Sequence, residues 1–112
     1  MLTLQPSIRI FIHTAPADMR KSMDGLENLV RTHLGEDPMS GNLFLFRNRR
    51  GDRLKLLYWD RNGFVVWYKR LERGTFSFPR HDAARVEIPP GLFAQLVGGL
   101  SLDRAWKNLP VM

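Results

Sequence analysis

The sequence contains no cysteine and no long apolar run, and each absence excludes a class of protein. Without cysteine, the chain forms no disulfide and no thiolate metal site. Its apolar runs all fall short of the roughly 20 residues needed to span a bilayer. The first residues, Met1 to Pro6, lack the basic start and apolar run of a secretory signal. We therefore expect a cytoplasmic protein with no membrane partner.

The groupings that carry enzymatic chemistry are also missing. Nucleases commonly hold metal ions with clustered carboxylates, whereas the acids here are scattered, and Asp52 and Asp60 lie in turns beside arginine. There is no glycine-rich phosphate loop, nucleophile elbow or metal-ligand spacing. We therefore expect no enzymatic activity, no catalytic residue, no metal, no cofactor and no small-molecule substrate.

The positive charge of the chain is concentrated in one stretch. The net charge is +6, and Arg47–Arg73 contains nine basic and three acidic residues, so this stretch accounts for all of it. A basic surface on a neutral body points to a polyanion, a membrane surface or an acidic protein as partner. Nucleic acid is the first of these that we consider.

Side chains that alternate between two faces with a period of two residues predict strands. The predicted strands are Ile8–His13, Asn42–Arg47, Arg53–Trp59 and Phe64–Arg70. Both faces of Asn42–Arg47 are apolar, which predicts a central strand or one covered on both sides. Asn48–Asp52 and Asp60–Gly63 read as tight turns between the last three strands. Thr75–Phe78 is expected to form a short edge strand, and residues 80–85 are expected to form a loop.

Helices are predicted on either side of these strands. Asp18 is expected to cap a helix that runs to Leu34, because apolar residues recur there at three- and four-residue steps. Pro90 suits the first turn of a second helix, and Ser101–Asn108 is expected to add one more helical turn, with Leu109–Met112 loose.

These elements predict a single α+β domain of 112 residues. We expect an antiparallel meander sheet of about four or five strands, with one helix before it and one or two after it, all packed on one face. The core would lie in residues 8–99, and residues 101–112 would be a C-terminal tail. The uncovered face of the sheet would then carry basic and aromatic side chains.

Basic side chains on this sheet are the candidate nucleic-acid-binding residues, because cations neutralise phosphates and release counterions. The set is Arg47, Arg49, Arg50, Arg53, Lys55, Lys69, Arg70 and Arg73. Aromatic rings between them could stack on unpaired bases, and these are Tyr58, Trp59, Trp67 and Tyr68. The alternative is that the aromatics belong to the core and that the turn arginines contact only water.

Several motifs, in order, resemble the TnpB accessory protein of the insertion-sequence-sixty-six (IS66-type) family of bacterial transposable elements. They are Asp18–Leu26, Asp37–Phe46, Asn48–Asp52 with Lys55, and Tyr68–Phe76. The resemblance extends from about Ile8 to Gly99. It implies a role in transposition beside a larger, separate transposase, and it carries over no catalytic residue.

The resemblance leaves three hypotheses. The first is a non-catalytic accessory protein that binds DNA, either transposon ends or any sequence, through the basic sheet. The second is an adaptor that binds the element-encoded transposase without contacting DNA. The third, a small metal-dependent nuclease, is disfavoured by the scattered acids.

Overall fold

The computed structural model describes residues 7–108, which form one sheet with one helix between its first two strands and two helices after its last strand. In chain order the elements are β1 (Ile10–His13), α1 (Met23–Thr32), β2 (Leu43–Arg47), β3 (Arg53–Asp60), β4 (Gly63–Arg70), β5 (Arg85–Ile88), α2 (Pro90–Val97) and α3 (Asp103–Lys107).

The five strands form one mixed sheet in the order β4-β3-β2-β1-β5. β2, β3 and β4 form the expected antiparallel meander, and β5 pairs antiparallel with β1. β1 and β2 run parallel, because α1 returns the chain to the same end of the sheet before β2 begins. The α+β class is therefore confirmed, with one parallel pair in a mostly antiparallel sheet.

Helices cover both faces of the sheet. On the face that we call the α1 face, side chains of β1, β2 and β3 pack with helix α1, forming a cluster that includes Phe11, Leu26, Leu29, Val30, Phe44, Phe46 and Leu57. On the opposite face, the α2–α3 face, the same strands pack with the C-terminal helices and the segment after β4, in a cluster that includes Ile10, Ile12, Leu43, Leu45, Leu54, Leu56, Phe76, Phe78, Leu96 and Leu102.

The expectation that all helices pack on one face is therefore wrong. Leu43, Phe44, Leu45 and Phe46 are all buried, and successive residues of a strand point to opposite faces. Both faces of β2 therefore need cover, and the central strands leave no open face for a layer of exposed cations. The basic side chains must leave the sheet at its end or at its edges.

The edge strand beside β1 is β5, and the expected strand at Thr75–Phe78 is absent. Residues 80–85 were expected to be a loop, but Arg85 already pairs with His13 at the start of β5. Phe76 and Phe78 instead point into the α2–α3 face. Pro79 cannot donate a hydrogen bond to a ladder, and the apolar signal of β5 is short because only Val86 and Ile88 are buried in it.

The first helix begins later than expected, at Met23 with Ser22 as its N-cap residue. Asp18 lies in the turn before it, where its carboxylate accepts hydrogen bonds from the backbone N–H of Arg20 at 2.9 Å and from the Arg20 guanidinium. These bonds lower the pKa of Asp18 to about 2. Asp18 therefore closes a local turn and does not cap the helix.

The two C-terminal helices agree with the sequence prediction. α2 begins at Pro90, α3 lies within Ser101–Asn108, and Trp106 packs against the core. The expected loose tail, Leu109–Met112, lies outside the described residues. Of the helices between residues 7 and 108, none combines the length and apolarity needed to cross a membrane.

Substitutions at neighbouring positions of β2 test whether both faces are buried. Phe44→Ala empties a site on the α1 face and Leu45→Ala empties one on the α2–α3 face. Each should lower the free energy of unfolding by about 3 kcal/mol, because a lost side chain in a packed core leaves a cavity. Urea denaturation measures both values. Asn28→Ala, at an exposed position of α1, should change stability by less than about 0.5 kcal/mol. A near-neutral effect of either core substitution would contradict the two-faced arrangement.

Candidate nucleic-acid interface

The β2–β3 turn and the chain that leaves β4 meet at one end of the sheet. Arg53 is paired with Arg70 across β3 and β4. Beyond that pair, the N–H of Leu71 donates to the carbonyl of Asp52 at 2.8 Å. Antiparallel pairing therefore brings the basic residues of the β2–β3 turn beside those at the end of β4. We call this group the basic end of the sheet: Arg49, Arg50, Arg53, Arg70 and Arg73.

The turn that carries Arg49 and Arg50 is held by its own side chains. The Asn48 amide donates to the Asp52 carboxylate at 2.7 Å and accepts from the backbone N–H of Arg53 at 3.0 Å. Gly51 is buried at φ +82°, and a Cβ there would come within 3.2 Å of the Thr75 side chain. Glycine is required at this position, and the fixed turn presents both arginines to solvent.

Positive charge dominates the basic end. Its segments carry five arginines and two acidic residues, Asp52 and Glu72. The hydrogen bond from Asn48 lowers the pKa of Asp52, and the charges of Arg50 and Arg53 contribute to this shift. Arg70 donates to Glu72 at 3.0 Å. Surface pairs of this kind contribute little to stability, so Arg70 can exchange Glu72 for another anion at small cost.

Lys55 lies apart from the basic end and is buried on the α1 face. Its Nζ donates to the carbonyls of Met19 and Lys21, both at 2.7 Å. The same nitrogen lies 5.1 Å from the centroid of the Tyr68 ring. The Lys55 ammonium thus joins β3 to the segment before α1, with its donors directed at the protein itself.

Two further candidate residues also donate to main-chain carbonyls. The Nζ of Lys69 donates to Val97 at 2.9 Å and joins β4 to α2. The Nη1 of Arg47 donates to Phe76 at 2.7 Å, and its guanidinium carbon lies 4.9 Å from the Phe78 ring centroid. Of the eight candidate residues, Arg49, Arg50, Arg70 and Arg73 are exposed, whereas Arg53 is half-buried and donates to the Tyr68 hydroxyl at 2.7 Å.

Arg80 is a cation beside this surface that the sequence prediction did not include. Arg47 and Arg80 line one cavity. Burial lowers the pKa of Arg47, and the charge of Arg80 lowers it further. A local sequence pattern could not predict this proximity. Arg80 comes beside Arg47 because Phe76 and Phe78, which lie between them in the chain, are buried in the core.

Aromatic side chains of β4 are exposed at the outer edge of the sheet. Trp67 is 37% exposed and Tyr68 is 47% exposed, on opposite faces of the strand. Tyr58 and Trp59 are half-buried, and Trp59 packs edge-on against Phe64 with ring centroids 5.0 Å apart. Trp67 and Tyr68 are therefore the rings available to a ligand near the basic end.

Between residues 7 and 108 the structure contains no group of three or more His, Asp or Glu side chains placed to hold a metal ion.

Comparison with known proteins adds a family and two relatives. The family model described as IS66 Orf2 like protein matches residues 8–107. The uncharacterized protein y4jC of Sinorhizobium fredii is 41% identical over 104 residues, which cover 93% of this chain and 88% of that protein. The uncharacterized protein y4hO of the same organism is 35% identical over 100 residues, 89% of this chain and 87% of that protein. No solved structure matches.

Paired substitutions separate a structural lysine from an exposed arginine. Lys55→Met keeps the apolar stem but leaves the Met19 and Lys21 carbonyls without their donor, which should lower the free energy of unfolding by about 1–3 kcal/mol. Arg49→Met, at the exposed turn, should change it by less than about 0.5 kcal/mol. Chemical denaturation of both variants gives the comparison. Equal effects would show that the ammonium of Lys55 does not hold the fold together.

Proposed function

Because the chain belongs to the IS66 Orf2-like family, whose members are accessory proteins of insertion-sequence transposition, we propose that it is a non-catalytic DNA-binding accessory protein. Its ligand would be DNA, at transposon ends or at any sequence, and its site the basic end of the sheet. We expect a protein that binds DNA and acts with the element-encoded transposase to function in the cytoplasm.

The observation that carries this proposal is the exposure of four arginines on one fixed end of the sheet. Arg49, Arg50 and Arg73 make no side-chain hydrogen bond or ion pair within the described chain, and Arg70 has only the exposed partner Glu72. Guanidinium groups bind phosphate oxygens with two parallel N–H groups. Release of condensed counterions from the DNA then supplies affinity.

The half-buried residues of the candidate set have a supporting role in this proposal. Arg53 is oriented by Tyr68 and adds positive potential beside Arg70. Lys55 and Lys69 contribute charge from within the protein, where their amines hold the fold together. Trp67, on the strand that leads into the basic end, offers a ring for stacking on an unpaired base.

The outer edge of β4 supports a second candidate function, that of an adaptor for the element-encoded transposase. β4 is eight residues long and pairs on one side only, with β3. An unpaired edge can accept a strand from another protein, whose side chains would then contact Trp67 and Tyr68. In this alternative the chain does not contact DNA itself.

Salt dependence of DNA binding tests the first proposal. If about five arginines contact phosphates, log affinity for duplex DNA should fall against log salt with a slope of about −4 to −5. The double variant Arg49→Ala/Arg50→Ala should reduce the steepness by about 2, as measured by fluorescence anisotropy on element ends and on unrelated DNA.

The double variant Arg20→Ala/Arg31→Ala is the matched control, because it removes the same charge from arginines that are paired with Asp18 and Glu27. Its salt slope should equal that of the unmodified protein. Failure to bind either single- or double-stranded DNA at low salt would rule out the DNA-binding proposal.

Co-purification with the transposase distinguishes the adaptor hypothesis from the DNA-binding hypothesis. The adaptor should remain bound to the element-encoded transposase after nuclease treatment, and Trp67→Ser should weaken that complex. A DNA-bridged association should disappear with the DNA. A complex that survives nuclease but is unchanged by Trp67→Ser would exclude this edge of β4 as the adaptor surface.

A further inference from the structure

An open cavity lies beside the basic end, between the end of β2 and the segment that leads into β5. Its volume is ≈ 560 Å³. The residues that line it are Thr14, Arg47, Pro79, Arg80, His81 and Asp82. Arg47 ends β2 only two positions before Arg49, so the cavity adjoins the exposed arginines without including them.

The two arginines of this cavity lack carboxylate partners. Five other arginines of the described chain form ion pairs, namely Arg9, Arg20, Arg31, Arg70 and Arg85. Arg47 and Arg80 have no carboxylate oxygen within 4.0 Å in residues 7–108. Removing charge from water without an opposite partner is costly, so half-buried Arg47 is the group that would gain most from an anion.

Arg47 also retains unused donors. Among the described residues, only its Nη1 donates to a protein acceptor, the carbonyl of Phe76 at 2.7 Å. A guanidinium group carries five N–H donors in a planar fork, so Nη2 and Nε remain for a ligand. Arg80 brings a second fork to the same cavity, and the mutual repulsion of the two cations favours an anion between them.

The other polar groups of the cavity define where that anion would sit. The backbone N–H of Ala83 donates to Nδ1 of His81 at 2.9 Å, so the neutral imidazole carries its proton on Nε2 and can donate. The Thr14 hydroxyl is occupied as a donor to the carbonyl of Ala83 at 2.6 Å. Asp82 is the carboxylate of the lining, and its charge disfavours an anion on its side of the cavity.

We propose that this cavity binds a phosphate group between the guanidinium groups of Arg47 and Arg80. A tetrahedral phosphate offers enough oxygens for two guanidinium forks at once, whereas one carboxylate satisfies a single fork. That the phosphate belongs to DNA, seated beside the basic end, rests on the proposed function. Phosphate binding by the cavity does not.

Arginine side-chain signals in ¹H–¹⁵N NMR spectra of the full chain test the site directly. Titration with inorganic pyrophosphate should shift the Nε–H signals of Arg47 and Arg80. Arg80→Ala should weaken pyrophosphate binding roughly tenfold, the effect of losing hydrogen bonds to a charged group. Arg104→Ala, at an exposed arginine of α3 that does not line the cavity, is the matched control and should bind as the unmodified chain does.

Two oligonucleotides of one sequence, with a 5′-phosphate or a 5′-hydroxyl, identify the source of the phosphate. A shift of Arg80 with the first alone indicates a terminal phosphate, and a shift with both indicates a backbone phosphate. A shift with pyrophosphate alone supports the cavity as a site for a free phosphate compound and counts against DNA as its ligand.

The site is overturned if pyrophosphate leaves Arg47 and Arg80 unshifted, or if Arg80→Ala and Arg104→Ala weaken its binding equally. Either result can coexist with DNA binding by Arg49 and Arg50. Conversely, if the chain binds pyrophosphate but no DNA, the phosphate site in the cavity is supported and the proposed DNA-binding function is contradicted.

Discussion

Burial of β2 on both faces is the constraint on which the rest of this structure depends. Its four apolar residues, Leu43 to Phe46, are almost inaccessible to solvent, and alternate side chains of a strand point in opposite directions. One layer of helices cannot cover both sides. The chain therefore places α1 on one face, through a crossover that makes β1 and β2 parallel, and places α2 and α3 on the other.

The same constraint determines where cations can lie. A lysine in a covered strand must either disrupt the core or bring its ammonium to polar groups, and the long apolar stem of lysine permits the second. Lys55 and Lys69 both do this, one on each face: Lys55 joins β3 to the segment before α1 and Lys69 joins β4 to α2, through main-chain carbonyls. At the end of the sheet, where β2 and β4 stop, several arginines reach solvent together.

The strongly patterned parts of the fold were predictable from sequence. The meander follows from alternation, and its β3–β4 hairpin closes at the pair Asp60–Gly63, with Arg61 and Asn62 as the two turn residues. The apolar character of β2 on both sides already pointed to cover on two faces, which the expected one-sided packing ignored. β5 was missed because four residues with two buried side chains give a weak local signal. The hydrogen bonds of Lys55 and the position of Arg80 beside Arg47 depend on segments that are distant in the chain. A local sequence pattern cannot predict such contacts.

The residues of the family motifs have different roles in the structure. Asn48, Asp52 and Gly51 build the turn, and the N–H of Phe76 donates to the carbonyl of Gly51 at 2.8 Å, so folding alone requires this geometry. The segment before α1 supplies the carbonyls that receive Lys55.

Arg49 and Arg50 lie within the same turn but make no hydrogen bond or ion pair in the described part of the chain. Their side chains are exposed, and surface positions of this kind contribute little to stability. A turn of this geometry could carry other polar residues at both positions without loss of the fold. Packing therefore accounts for the turn but not for the two arginines at its tip, which the proposed binding of DNA would explain.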